Sequence, residues 1–163
     1  KEKYKRSAYD WERNSLLALG SLYGVDILSD NCQICRERLY KHWEKAYKAV
    51  CKKECNDDTR RAARFILSRN IVCGNALTLR CVDDQQQDTA EPIVFSEWTF
   101  PQNNAFIHRK DYTFAELLDE TPKKKKVSEQ QSLFDAGNAD TDGEGRFIQE
   151  YVCHYRQLGA EEK

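Results

Sequence analysis

The feature that most constrains the fold is an uninterrupted amphipathic stretch from Cys32 to Cys55, which contains neither Gly nor Pro. Its apolar residues recur every third or fourth position, at Cys35, Leu39, Trp43, Ala46 and Val50. This spacing places them on one stripe of an α-helix. Ser29, Asp30 and Asn31 precede the stretch and offer N-cap oxygens. The sequence therefore predicts one long helix with a single buried stripe.

Residues with capping preferences mark further helices. Gly20 ends a first helix that begins near Ser7. The long helix ends at Asn56, Asp57 and Asp58, which cap a third helix from Thr59 to about Ser68. A last helix is predicted over 147–158, where apolar residues recur at helical spacing.

A fourth capping signal and one non-helical segment complete the prediction. Thr113 followed by Glu116 forms a capping box for a short helix over 114–119. Residues 71–100 contain a Gly-Asn turn and alternating apolar residues, which indicate a minor β-like or extended segment. We therefore expect a mainly α fold, a small helical bundle in one domain over 1–163. We also expect a flexible lysine-rich linker at 120–129 and an acidic Gly/Asp loop at 135–145.

The cysteines predict disulfide bonds. There are seven, namely Cys32, Cys35, Cys51, Cys55, Cys73, Cys81 and Cys153. This density is high for a reducing compartment. The pairs at the two ends of the long helix lie about 24 Å apart at about 1.5 Å per residue, so they cannot share one zinc ion. We expect each pair to bond to a cysteine on another element; reduced, buried thiols are the alternative.

The basic residues indicate a binding surface. The net charge is −1, yet residues 1–82 carry 17 Lys and Arg against 10 Asp and Glu. The candidate contact residues are Arg36, Lys41, Lys45, Lys48, Lys52, Arg60, Arg61, Arg64 and Trp98. The expected partner is another protein; a heparin-like polyanion or nucleic acid is the alternative, and an ordinary solvated helix face is the simpler explanation. No apolar run approaches the length of about 18 residues that a membrane span needs.

Two short motifs resemble known binding signals. Lys123, Lys124, Lys125 and Lys126 resemble a monopartite nuclear-import signal, and a solvated linker is the alternative. Asp140, Asp142 and Glu144 resemble the start of an EF-hand calcium loop. Tyr151 stands where the closing Glu of that loop belongs, so we expect weak calcium binding at most.

The functional prediction follows from these signals together. The chain contains no recognisable catalytic constellation or cofactor motif, so we expect neither an enzyme nor a cofactor. It contains no Met, as expected of a mature chain cut from a precursor or of a trimmed one. The leading hypothesis is a secreted binding protein that acts as a ligand, inhibitor or effector. The alternatives are an intracellular nuclear adaptor or nucleic-acid-binding module and a degenerate EF-hand calcium binder.

Overall fold

Four α-helices and two β-sheets make up the computed structural model, which describes residues 7–119 and 149–160. The helices are α1 (Ala8–Gly20), α2 (Ser29–Cys51), α3 (Asp57–Asn70) and α4 (Phe114–Asp119), with 3-10 turns at Lys52–Glu54 and Tyr155–Gln157. The fold is therefore α/β, and the predicted mainly helical bundle is wrong.

The strands form one sheet of four and one sheet of three. They are β1 (Gly24–Asp26), β2 (Ile71–Asn75), β3 (Arg80–Val82), β4 (Asp88–Pro92), β5 (Val94–Thr99), β6 (Phe106–Thr113) and β7 (Gln149–His154). The first sheet has the order β1-β2-β3-β4, in which β1 is parallel to β2 and the other pairs are antiparallel. The second sheet has the antiparallel order β5-β6-β7.

The bundle prediction fails because the strands extend well beyond 71–100. Strands β2 to β5 lie in that range, but β1, β6 and β7 lie outside it. β7 occupies half of the predicted last helix over 147–158, and a 3-10 turn follows it. There the backbone hydrogen-bonds to β6, with Val152 opposite His108. This pairing replaces the hydrogen bonds that a helix would have made within the segment.

The caps predicted for α3 and α4 are confirmed, whereas the cap predicted for α2 is wrong, because α2 begins at Ser29 and no side chain caps it. The side chain of Ser7 caps α1, and that of Asn56 accepts a hydrogen bond from the amide of Thr59 at 2.8 Å. The Thr113 amide donates to the Glu116 carboxylate at 2.7 Å, and the Glu116 amide donates to the Thr113 hydroxyl at 3.3 Å. This reciprocal pair is the predicted capping box.

The predicted stripe of α2 is wrong by about one position. The buried residues of this helix are Cys32, Tyr40, Trp43, Tyr47 and Cys51, whereas Cys35 and Val50 are exposed. The tyrosines occupy the inner face because their rings pack against other aromatic residues. The ring of Tyr47 lies 4.8 Å from that of Trp43 and stacks on Trp11 at 5.4 Å between centroids.

The core lies where α3 packs against the other two long helices and against β5. Leu16 of α1 and Ile66 of α3 are fully buried in it. Gly20, at the end of α1, lets the ring of Trp98 approach the helix. A Cβ atom at this position would lie 2.7 Å from the Trp98 Cδ1 atom.

A buried carboxylate connects the chain termini to the helices. Glu12 on α1 is fully buried and accepts hydrogen bonds from the hydroxyls of Tyr47 and Tyr155. It also accepts bonds from Asn56 Nδ2 at 2.9 Å and from the Arg156 guanidinium at 3.0 Å. One ionised side chain thus connects α1, α2, the start of α3 and the last turn, and the bonds compensate for its burial.

The predicted disulfides are absent. All seven cysteines lie within the described residues, and none forms a disulfide with another. Several thiols donate to backbone carbonyls instead. The Cys32 thiol lies 3.2 Å from the carbonyl oxygen of Val72, and the Cys81 thiol lies 3.4 Å from that of Pro92. Burial raises the pKa of Cys51 to about 11, so this side chain is a neutral thiol at pH 7.

Two predicted segments lie outside the described residues. They are the lysine-rich linker at 120–129, with Lys123–Lys126, and the acidic loop at 135–145, with Asp140, Asp142 and Glu144. Among the helices of residues 7–119 and 149–160, none is both long and apolar enough to cross a membrane.

Candidate functional site

Most of the predicted basic residues meet in a cleft between α2 and α3. Two adjoining depressions of about 500 and 380 Å³ share Tyr40, Glu44 and Arg64, and together we call them the α2–α3 groove. Its other lining residues are Gln33, Arg36, Glu37, Lys41, Lys48, Asp57, Arg60, Arg61 and Leu67. Arg36, Tyr40, Glu44 and Lys48 follow one another at intervals of four, so they form one row along α2.

Tyr40 and Arg64 form the centre of this groove. The Arg64 guanidinium carbon lies 4.2 Å from the centroid of the Tyr40 ring, which is a cation–π contact. Tyr40 is only 8% exposed, and its buried hydroxyl has no hydrogen-bond partner in the described part of the chain. Burial is the main reason that the pKa of Tyr40 is raised. A buried hydroxyl without a partner is unfavourable, and a bound acceptor would relieve that cost.

One end of the groove carries cations that no carboxylate compensates. The Nε atom of Arg36 donates to the carbonyl oxygen of Ile71 at 2.7 Å, which fixes the position of its guanidinium. Within residues 7–119 and 149–160, neither Arg36, Lys41 nor Arg64 forms an ion pair. These three residues give this end a positive charge, which the lining residues Glu37 and Glu44 reduce but do not cancel.

The other end of the groove is nearly neutral. Glu44 contacts Lys48 at 3.4 Å and Arg60 at 3.1 Å, and Arg60 also contacts Asp57 at 2.7 Å. Arg61 pairs with Asp58 at 3.0 Å. It also donates to two carbonyl oxygens of the last turn. These cations are engaged within the fold, so they are less available to a ligand than Arg36, Lys41 and Arg64.

Three predicted contact residues lie outside the groove. Lys45 and Lys52 are exposed, but neither lines it. Trp98 is buried in the core, where its ring meets that of Phe65 edge-on at 6.1 Å. The sequence analysis missed the acidic members of the groove. The intervals of four in Arg36, Tyr40, Glu44 and Lys48 would have placed Glu44 among the cations.

The groove is chemically suited to holding an anion. Guanidinium groups donate paired hydrogen bonds to carboxylates and phosphates, and the Tyr40 hydroxyl can donate a further one. The described residues contain no group of three His, Cys, Asp or Glu side chains arranged to hold a metal ion.

Comparisons of this chain with protein-family models, with curated proteins and with solved structures find no match. Its function is therefore inferred from the geometry of the α2–α3 groove.

Proposed function

We propose that this chain is a non-enzymatic binding module that holds an acidic segment of another protein in its α2–α3 groove. One observation carries the proposal. Within residues 7–119 and 149–160, the Arg64 guanidinium has no ion pair and lies over Tyr40, whose buried hydroxyl has no acceptor for its proton. A carboxylate that enters here gains a charged donor and gives the hydroxyl an acceptor.

The mixed charges of the groove favour a protein over a nucleic acid. Glu37, Glu44 and Asp57 lie among its basic residues, and the whole chain has a net charge of −1. Nucleic acid presents a continuous row of phosphates, which these carboxylates would repel. A protein segment can place its acidic residues beside the three uncompensated cations and place neutral or basic residues elsewhere.

The expected contacts follow from the arrangement of the donors. The Ile71 carbonyl holds Arg36 through Nε and leaves the two terminal nitrogens of that guanidinium for a ligand. Arg64 offers a planar donor above the Tyr40 ring. Two acidic side chains of the partner would therefore bind in neighbouring positions, one on each guanidinium.

The cellular location is proposed separately from the binding activity. Secretion stays the leading proposal and a nuclear location the alternative, although the missing disulfides remove the main argument for secretion. Binding of an acidic protein segment is compatible with either location.

A peptide-binding experiment tests the proposed function. Fluorescence anisotropy would measure the affinity of the chain for a labelled Glu-rich peptide at low salt, with a Gln-rich peptide of equal length as control. We expect Arg64→Gln to weaken binding of the Glu-rich peptide about tenfold, because a charge-assisted hydrogen bond is lost. Lys45→Gln removes the same charge from α2 outside the groove and is expected to change the affinity less than about twofold.

Three outcomes would contradict the proposal. The first is equal affinity for the Glu-rich and Gln-rich peptides. The second is an equal effect of Arg64→Gln and Lys45→Gln, which would indicate attraction by overall charge only. The third is tighter binding of a single-stranded oligonucleotide than of the Glu-rich peptide, which would favour the nucleic-acid module.

A further inference from the structure

A second groove lies between α3 and the β6–β7 part of the three-stranded sheet. We call this depression of about 460 Å³ the β7 groove. Its lining residues are Phe65, Phe106, Ile107, Arg109, Tyr151, Val152, Cys153, His154, Gln157, Leu158 and Gly159, and none of them lines the α2–α3 groove. Among these described lining residues, Arg109 is the one permanently charged side chain, and none is a carboxylate.

The Arg109 guanidinium lies over two aromatic rings. Its guanidinium carbon lies 3.8 Å from the centroid of the Tyr151 ring and 5.6 Å from that of Phe65. The residue is only 8% exposed. Its Nε atom is buried without a hydrogen bond, and its other nitrogens donate none within the described residues. The two cation–π contacts hold the guanidinium in place and use none of its N–H donors.

The charge of Arg109 is only partly compensated inside the protein. The Asp111 carboxylate lies 3.3 Å from Arg109 Nε, but it also pairs with Arg69 at 3.0 Å. It accepts a further bond from the Ser96 hydroxyl at 2.6 Å. Two guanidinium groups thus share one carboxylate, which leaves one surplus positive charge.

The surplus charge falls mainly on Arg109. The Arg69 side chain is 31% exposed, so water solvates part of its charge, whereas that of Arg109 is only 9% exposed. A buried charge without full compensation is costly, and an anion beside it would lower that cost. The groove gives such an anion direct access to Arg109, which is part of its lining.

The walls of the groove determine what the anion must carry with it. Tyr151, which faces the same side of the sheet as Arg109, is 39% exposed, Phe65 is half-buried, and the buried Leu158 lines the groove as well. Apolar side chains that line a concave surface gain free energy when a ligand removes them from water. A small inorganic anion would satisfy Arg109 but would leave these apolar side chains uncovered.

We infer that the β7 groove binds a small amphipathic carboxylate. The carboxylate accepts hydrogen bonds from the Arg109 guanidinium, and the apolar part of the ligand covers Phe65, Tyr151 and Leu158. A single negative charge compensates the surplus positive charge of Arg109, so a monoanion fits better than a phosphate ester. The volume is within the range of small-molecule sites, which is about 300–1,000 Å³.

Isothermal titration calorimetry with 3-phenylpropionate tests this inference, with the neutral 3-phenylpropanamide as the matched ligand. We expect the carboxylate to bind at least about tenfold more tightly than the amide, since only the carboxylate compensates Arg109. No heat from the carboxylate at about 5 mM, or equal affinities for the two ligands, would overturn the inference.

Two variants at Gln157 test whether the ligand binds in the β7 groove. Gln157 is exposed and lines the groove, so its replacement leaves the core intact. Gln157→Glu adds a negative charge at almost the same size and is expected to weaken binding of 3-phenylpropionate about threefold or more, whereas Gln157→Lys is expected to maintain or strengthen it. Equal affinities of the two variants would show that the ligand binds elsewhere. Arg64→Gln, in the α2–α3 groove, is expected to leave this affinity unchanged.

Discussion

Replacing Glu12 by Ala is expected to destabilise the fold severely. The carboxylate of this residue is fully buried and accepts hydrogen bonds from Tyr47, Tyr155, Asn56 and Arg156. Glu12→Ala leaves all four donors without their acceptor and also opens a cavity. Removing one partner of a buried charged pair costs about 3–5 kcal/mol. Because a domain of this kind is stable by only about 5–15 kcal/mol in total, we expect a large shift in the urea midpoint.

Urea unfolding followed by circular dichroism measures this effect. The matched control is Glu37→Ala, which removes a glutamate from the exposed face of α2 and is expected to change stability by about 0.5 kcal/mol or less. A loss below about 1 kcal/mol for Glu12→Ala would refute the reasoning, because it would mean that water or another acceptor replaces the carboxylate.

The same carboxylate makes stability depend on pH. Burial alone would raise the pKa of Glu12, but hydrogen bonds from Tyr155, Tyr47 and Arg156 together lower it below the ordinary value of 4.5. Unfolded chains then bind more protons than folded ones near this pH, so the stabilisation is complete above 4.5 and is lost as pH falls through the lowered pKa. Glu12→Gln should therefore flatten the plot of unfolding free energy against pH below 4.5. An unchanged slope in this variant would contradict the assignment.

Three further predictions concern a close contact, a cap and the thiols. Gly20→Ala should cost about 1–3 kcal/mol in urea unfolding, because the new Cβ atom would lie 2.7 Å from the Trp98 ring; a neutral effect would contradict this close approach. Thr113→Ala removes the hydroxyl from the capping box and should cost about 1 kcal/mol, and no loss would mean that the box contributes nothing. The exposed Cys35 should react quickly with Ellman's reagent in the native protein, whereas the buried Cys51 should react only on unfolding; rapid labelling of Cys51 would refute its burial.

Local signals in the sequence located the ends of α1, α3 and α4 but did not reveal the second sheet. The ends of α1, α3 and α4 depend on side chains within a few residues of each helix terminus, so caps and Gly20 could locate them. In β6 the inward residues are Ile107, Arg109 and Asp111. Two of these three are charged, so the apolar alternation that identifies a strand is absent. Their partners, Arg69 and Ser96, become neighbours only after folding.

β7 was mistaken for a helix for a related reason. Residues 147–158 contain apolar residues at helical spacing, but the segment pairs with a strand about forty residues earlier in the chain. Pairing over such a separation leaves little local trace in the sequence. The disulfide prediction failed for a different reason. The number of cysteines indicated disulfides, whereas in the fold several of the thiols lie beside backbone carbonyl oxygens.

The candidate site was predictable in part. The basic residues of α2 and α3 are visible in the sequence, and most of them line the α2–α3 groove. The sequence did not show which of these cations form ion pairs, because that depends on how α3 packs beside α2. Arg60 pairs with Asp57 on its own helix, but its second pair, with Glu44 at 3.1 Å, exists only because of this packing.

The most direct test of the central claim is an NMR titration of the ¹⁵N-labelled chain with the Glu-rich peptide. Binding in the α2–α3 groove predicts amide shift changes concentrated at 33–48 of α2 and 57–67 of α3. Arg64→Gln should reduce these changes at equal peptide concentration, and Lys45→Gln should not. Shift changes spread over the whole surface, or confined to residues away from these two helices, would contradict the account.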